Sequence, residues 1–166
     1  MVDFSNPLPG ARRFNANPRL LGRWKGKDEQ GNTGFIQFDK AARNEITVSV
    51  FGENSDLGYK NPVFKLKTAK IGAFDYLVLK PDDSQAGPDY TLARYSIHDG
   101  KLKIWILSID KVREALKNGQ LQGSAGGGPY GGVVVTSSSN DIVRFINRTE
   151  SNAFFTYFGE YQKVKK

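Results

Sequence analysis

His98 is the only imidazole in a chain of 166 residues. A general base needs a partner group and a cleft that holds its substrate. His98 stands instead beside Asp99-Gly100, a turn pair, where an exposed side chain is expected. No serine or aspartate spacing completes a nucleophilic triad around it. Asp82 and Asp83 are adjacent carboxylates, but a metal site takes clustered His, Cys or carboxylate ligands, and this pair reads as a solvated loop. The chain has no cysteine, which excludes disulfides and thiolate chemistry. The run 123–132, Gly-Ser-Ala-Gly-Gly-Gly-Pro-Tyr-Gly-Gly, invites comparison with a phosphate loop. It lacks the Gly-Lys-Ser/Thr ending and no helix follows it directly. Its composition predicts a flexible loop, available as a lid or a contact surface. The expectation from these residues is a protein that is not an enzyme and uses no metal or cofactor.

The aromatic residues offer a different chemistry. Trp24, Phe38, Tyr95, Phe154 and Phe158, with Ile104, fall on strand faces that share one side, and together they are the expected lining of an apolar site. Ligand sites are concave and mostly apolar, with a few polar groups. Small barrels are also commonly filled by their own side chains, so a ligand cavity and a packed core both stay open. The net charge of +7 suits nucleic acid or an anionic surface. It equally suits a solvated lysine-rich exterior, because the lysines are spread along alternating strand positions and cluster only at Lys163, Lys165 and Lys166.

The elements that must position these residues are strands. The length suits one domain, and 39% hydrophobic with 25% charged residues is a globular composition. Residues 1–18 are polar with Pro7, Pro9, Gly10 and Pro18, and read as an extended lead-in to a single domain over 19–166. Alternation predicts strands at 20–27, 34–39, 45–51, 63–67 and 73–80. Polar loops are expected at 52–61 and 81–88. The clearest hairpin spans 89–107 around Asp99-Gly100, a type I′ pair that sets the register. It pairs His98 with Lys101, Ile97 with Leu102, Tyr95 with Ile104 and Ala93 with Ile106 on the core side. The other side pairs Arg94 with Trp105, which suits a cation–π contact, and Leu92 with Leu107. Ser108 is the expected N-cap of a helix over 109–118 that ends at Gly119. A short strand follows at 133–136. Ser138 to Asp141 has capping-box spacing and opens a helix burying Ile142, Phe145 and Ile146. The last strand, 153–164, sets Phe154, Thr156 and Phe158 against Phe155, Tyr157 and Tyr161.

About nine strands joined by short loops favour an antiparallel up-and-down meander, and a meander of that length closes to remove its edges. The predicted fold class is therefore mainly β: a single antiparallel barrel of about 8–9 strands, with two short helices before the last strand.

The Gly22-Arg23-Trp24 signature after Leu20-Leu21 resembles the lipocalin and calycin group, in which a Gly-x-Trp opens the first strand and the Trp plugs the closed end. Avidin-like barrels open in a similar way. Glycine permits a sharp bend and the indole fills the narrow end. Lipocalins usually place a helix after the barrel, whereas both helices here precede the last strand. Lys163 is the candidate for the basic residue that packs on the Trp. The stretch from about 85 to 165, with Tyr90-Thr-Leu-Ala-Arg-Tyr95, Asp99-Gly100-Lys-Leu-Lys-Ile-Trp105 and Gly119-Gln-Leu-Gln-Gly123, resembles small bacterial envelope proteins of uncharacterised function, with Phe145 matching a Phe in their second helix. That likeness implies export, to the periplasm or outer envelope, with any leader absent. It implies no activity.

The leading expectation is a lipocalin-like protein that binds a small hydrophobic ligand, with Arg94 and Trp105 outside the barrel under a helix. The alternatives are a module that meets a protein partner through loops 52–61 and 123–132, and a barrel for single-stranded nucleic acid, which needs a basic groove with exposed aromatics. No transmembrane segment is expected, since no apolar run approaches the roughly 20 residues required.

Overall fold

The computed structural model describes residues 2–6, 17–28, 30–42, 45–52, 63–81, 90–125, 132–147 and 154–165. Eight antiparallel strands close into a barrel. They are β2 (Gly22–Asp28), β3 (Thr33–Ala42), β4 (Glu45–Gly52), β5 (Val63–Ile71), β6 (Phe74–Pro81), β7 (Thr91–His98), β8 (Lys101–Leu107) and β11 (Phe155–Lys163). Each pairs with its chain neighbour, and β11 shuts the seam by pairing with both β8 and β2. Closure removes the unpaired edges that an open sheet of this size would expose. The hairpin register is the one the turn dictates, from Ala93↔Ile106 to His98↔Lys101, and Asp99 (φ 51°) and Gly100 (φ 73°) take the positive angles that it needs.

The second layer lies outside the barrel. Helix α1 (Ile109–Lys117) follows β8, with the Ser108 Oγ accepting from the Lys111 N–H. Helix α2 (Ser139–Asn147) is capped by Ser138, whose Oγ accepts from the Asp141 N–H. Beside them runs a three-stranded sheet in the order β1 (Val2–Phe4), β10 (Val133–Val135), β9 (Gly123–Ala125). This sheet corrects two expectations. Val2–Phe4 is not lead-in: Val2 and Phe4 are buried, and the strand pairs in parallel with β10. The glycine-rich run is not loop throughout, since Gly123–Ala125 pairs with β10. A Cβ at Gly123 would collide with the Val134 carbonyl, so only glycine lets that pairing close. Residues 126–131, and all but Gly52 of the expected contact loop 52–61, lie outside the described residues, as do Asp82 and Asp83.

Two cores result. The inner one fills the barrel with residues such as Trp24, Ile36, Phe38, Leu66, Leu77, Tyr95 and Leu102. The outer one joins Val2, Phe4, Tyr90, Val112, Val133, Ile142 and Phe145 to the outward faces of Tyr76, Leu92, Leu107 and Phe155. Strand β7 serves both, and four consecutive residues from Leu92 to Tyr95 are buried. A strand covered on both faces loses its polar alternation.

The last strand also departs from simple alternation. The register of β11 against β8 shifts between Tyr157 and Gly159. This bulge sends Phe155 and Tyr157 outward and Phe158 and Tyr161 inward. An unbroken strand would have kept Tyr161 on the side of Phe155. The bulge inserts one residue and reverses the faces beyond it.

Candidate functional site

One end of the barrel is plugged by residues from three segments. Asn17 starts a single 3-10 turn over Pro18–Leu20, its Oδ1 accepting from the Arg19 N–H at 3.0 Å. The turn buries Leu20 and aims its carbonyl at the Trp24 indole, whose Nε1 donates to it at 2.8 Å. Lys163, from the last strand, stands 5.2 Å from the Trp24 ring centroid and donates to the Arg19 carbonyl at 3.3 Å. Gly22 is required beneath it. Its φ is 117°, and a Cβ there would lie 3.0 Å from the Lys163 Cε. Asn17 also donates from Nδ2 to the Tyr95 hydroxyl at 3.2 Å. Burial raises the Tyr95 pKa, and the Asn17 hydrogen bond partly offsets that. The phenol therefore stays neutral and the plug carries no buried anion from it.

The opposite end differs. Strand tilt carries one cross-strand row from Lys163 and Trp24 through Ile36 to Val50, all on the inner face by register. Trp24 and Ile36 are each 2% exposed, whereas Val50 is 42% exposed. Ile106, also on the inner face, is 41% exposed. Phe64, Leu79 and Phe158 are half-buried beside them. The next inward row on β2, β3 and β4 is Gly26, Gly34 and Gly52. A Cβ at Gly52 would meet nothing within 4 Å, whereas Gly26 lies against the Tyr161 ring, so the wall is open at its Gly52 end. The inside of the barrel is thus packed at the Trp24 end and apolar but accessible at the other.

Of the residues expected to line a site, Trp24, Phe38, Tyr95 and Ile104 all face the barrel interior and are buried among one another. Phe158 faces inward beside Tyr161, with ring centroids 6.5 Å apart. Phe154 does not belong with them. It precedes β11 and packs outside against Phe145, centroid to centroid 4.4 Å. The accessible end is lined instead by Val50, Ile106 and the inward glycines, which a search for aromatics overlooks. Their signal was the spacing of Gly26 and Gly34, eight positions apart about a turn, with Gly52 at the end of the next strand.

Outside the barrel, Arg94 is on the outer face as expected, but its guanidinium is held by other rings than Trp105. Its Cζ lies 3.9 Å from the Phe74 centroid, 4.4 Å from Phe155 and 5.6 Å from Tyr76. Trp105 meets Tyr157 edge-on, with centroids 6.1 Å apart. A cavity of about 330 Å³ opens beside Arg94. A larger cleft of about 740 Å³ lies by the plug, with Arg23, Lys40, Lys163 and Lys165 on its rim. Among its described lining residues the one carboxylate, Asp39, accepts from the Gln37 amide. On the outer face of β2 to β4, Phe35 and Phe51 stack at 5.4 Å, and Arg23 sits 5.7 and 5.2 Å from their centroids. A nucleobase would have to displace that arginine in order to stack there. His98 is exposed at the hairpin tip, 3.2 Å from Asp99. Among the described residues, no group of His, Asp or Glu is placed to hold a metal ion.

No family model, curated protein or solved structure matches the chain.

Proposed function

We propose that this chain is a non-enzymatic barrel protein that takes a small apolar ligand into the end opposite Trp24. The observation that carries this reading is the gradient along the inner face, from Trp24 and Ile36 at 2% exposure to Val50 and Ile106 at 42% and 41%. Inward apolar residues in contact with water are costly to leave bare, and bare backbone at Gly52 leaves room beside them. A ligand that covers Val50, Ile106 and the half-buried Phe158 removes that cost. The resemblance to the lipocalin and calycin group supports the reading, since Gly22, Trp24, Lys163 and the 3-10 turn act together as a plug. Placement in a bacterial envelope rests on the second resemblance alone. No helix among the described residues is long and apolar enough to cross a membrane, a finding that says nothing of strands.

The test is titration of the purified protein with a neutral fluorescent apolar probe, N-phenyl-1-naphthylamine. Saturable enhancement is expected, and Ile106→Glu lowers the affinity by about tenfold or more, because a charge replaces apolar contact surface. Trp24→Phe, at the plug, leaves binding in place. Absence of saturable binding, or an Ile106→Glu protein that binds as well as the parent, refutes the reading.

A further inference from the structure

The larger cleft, of about 740 Å³, lies at the plugged end of the barrel and is a notch in its wall. Strand β2 begins at Gly22, opposite Phe38, while both its neighbours run on past it. On one side β3 continues through Asp39 and Lys40 to Ala42. On the other, the Val164 N–H donates to the Arg23 carbonyl at 2.8 Å and carries the line of β11 on towards Lys165. The chain before Gly22 turns inward and buries Leu20 as part of the plug. The gap between β3 and β11 is therefore floored by Leu21, Gly22 and Phe38.

Charge is uneven across this notch. Its described lining carries Arg23, Lys40, Lys163 and Lys165 against one carboxylate, Asp39. Asp39 accepts from the Gln37 amide, and the Gln37 Oε1 accepts from both Nε and Nη2 of Arg23, at 3.0 and 2.9 Å. One edge of the guanidinium fork is thus given to Gln37. Lys163 crosses the floor, its Cε 3.0 Å from where a Gly22 Cβ would stand, and its ammonium donates once, to the Arg19 carbonyl. An ammonium has three donors. Lys40, paired with Ile46, and Lys165 are exposed, and among the described residues neither meets a carboxylate. Cations gathered around a concavity raise the local concentration of anions.

We infer that the notch is a second binding site, for a small organic phosphomonoester. Such a group carries about −1.5 to −2 charges near neutral pH on three acceptor oxygens, so it answers several ammonium groups at once. Lysine meets phosphate as a point charge, whereas a carboxylate is best matched by an arginine fork. The lysines here outnumber the one arginine, whose fork is partly occupied. Leu21 and Val164, the latter 42% exposed, supply apolar surface for the body of the ester. The site stands at the far end of the barrel from the mouth and does not rest on the ligand proposed there.

The experiment is an NMR titration of the full chain with phenyl phosphate, and with benzenesulfonate as its singly charged counterpart. Phenyl phosphate is expected to move the backbone amide resonances of Gly22, Lys40 and Val164 saturably and to leave those of Val50 and Ile106, at the mouth, in place. Benzenesulfonate binds at least about fivefold more weakly. The double variant Lys40→Gln/Lys165→Gln, at two exposed positions, lowers the affinity by about tenfold or more. Lys111→Gln/Lys117→Gln removes the same charge from α1 and leaves the affinity unchanged, which separates the notch from the net charge of the chain. Phosphatidylcholine vesicles carrying phosphatidic acid present the same group on a lipid. Sedimentation with them that the Lys40→Gln/Lys165→Gln variant loses assigns the ester to a headgroup, and a phenyl phosphate titration without it assigns a soluble ester. Both double variants keep binding of N-phenyl-1-naphthylamine, so failure here is separable from failure at the mouth. Benzenesulfonate binding as tightly as phenyl phosphate, shifts that extend to Val50 and Ile106, undiminished binding in Lys40→Gln/Lys165→Gln, or binding of neither phosphate overturns the inference.

Discussion

The inner and outer cores are built from the same kinds of residue by opposite routes. The inner core takes alternate positions of consecutive strands, so its members lie close in sequence: Ile36 faces Val50, Leu66 faces Leu79, Tyr95 faces Ile104. The outer core gathers segments from across the chain. Phe4 stacks on Tyr90 at 5.5 Å, Val2 pairs with Val133, and Phe145 packs on Phe154. The difference teaches where the mouth and the Arg94 cavity come from. The mouth is an end of a regular lattice, where the strands' own pattern leaves off. The Arg94 cavity is a margin, where a layer assembled from distant pieces fails to cover the whole of the barrel flank.

The comparison breaks or holds first on the largest side chains. Trp24→Ala empties the plug and is expected to cost about 5 kcal/mol, and Phe4→Ala in the outer core about 3 kcal/mol, from lost burial and the cavities left behind. Because β7 contributes Leu92 outward and Ala93 and Tyr95 inward, both variants should unfold in one transition. Denaturant melts followed by near- and far-ultraviolet circular dichroism check this. Two separated transitions in Phe4→Ala would make the outer layer an independent unit.

Two glycines sharpen the same contrast with a smaller effect. A Cβ at Gly26 would collide with the Glu160 carbonyl and stand 2.7 Å from the Tyr161 ring, at the seam that closes the barrel. A Cβ at Gly123 would collide with the Val134 carbonyl, in an exposed edge strand. Gly26→Ala is expected to cost about 3 kcal/mol and Gly123→Ala about 1 kcal/mol. Amide exchange should show the loss spread over β2 and β11 in the first and confined to β9 and β10 in the second.

The smallest effect near neutrality is ionisation. Burial raises the pKa of Tyr90 and Tyr76 in the outer core and of Tyr95 in the inner one. A raised folded-state pKa means that stability is fully present below the unfolded tyrosine value, about 10, and is lost as pH climbs towards the folded value. The Tyr90 hydroxyl also donates to the Asn6 carbonyl at 2.6 Å, a bond the phenolate cannot make. Tyr90→Phe should therefore flatten the decline in melting temperature above pH 10, at a small cost at pH 7. An unchanged alkaline slope would mean that Tyr90 does not couple the N-terminal segment to stability.

Much of this molecule is legible in the chain itself. Period-two alternation marks the barrel strands, Asp99-Gly100 sets the register of β7 on β8, and Ser108 and Ser138 start the helices. Those features are local, and residues a few positions apart suffice to specify them. Gly22, Trp24 and Lys163 were likewise open to reading, but only the folded chain lays the Lys163 stem over Gly22 and its ammonium over the indole. The tertiary structure alone decided the inward turn of Tyr161, the place of Val2–Phe4 beside β10, the exclusion of Phe154 from the barrel, and the cavity at Arg94. Each depends on contact between segments far apart in the chain, such as Phe4 with Val135 or Gly26 with Tyr161. A bulge shifts the faces of a strand without changing its composition. A strand buried on both sides carries no polar face to mark which side is in.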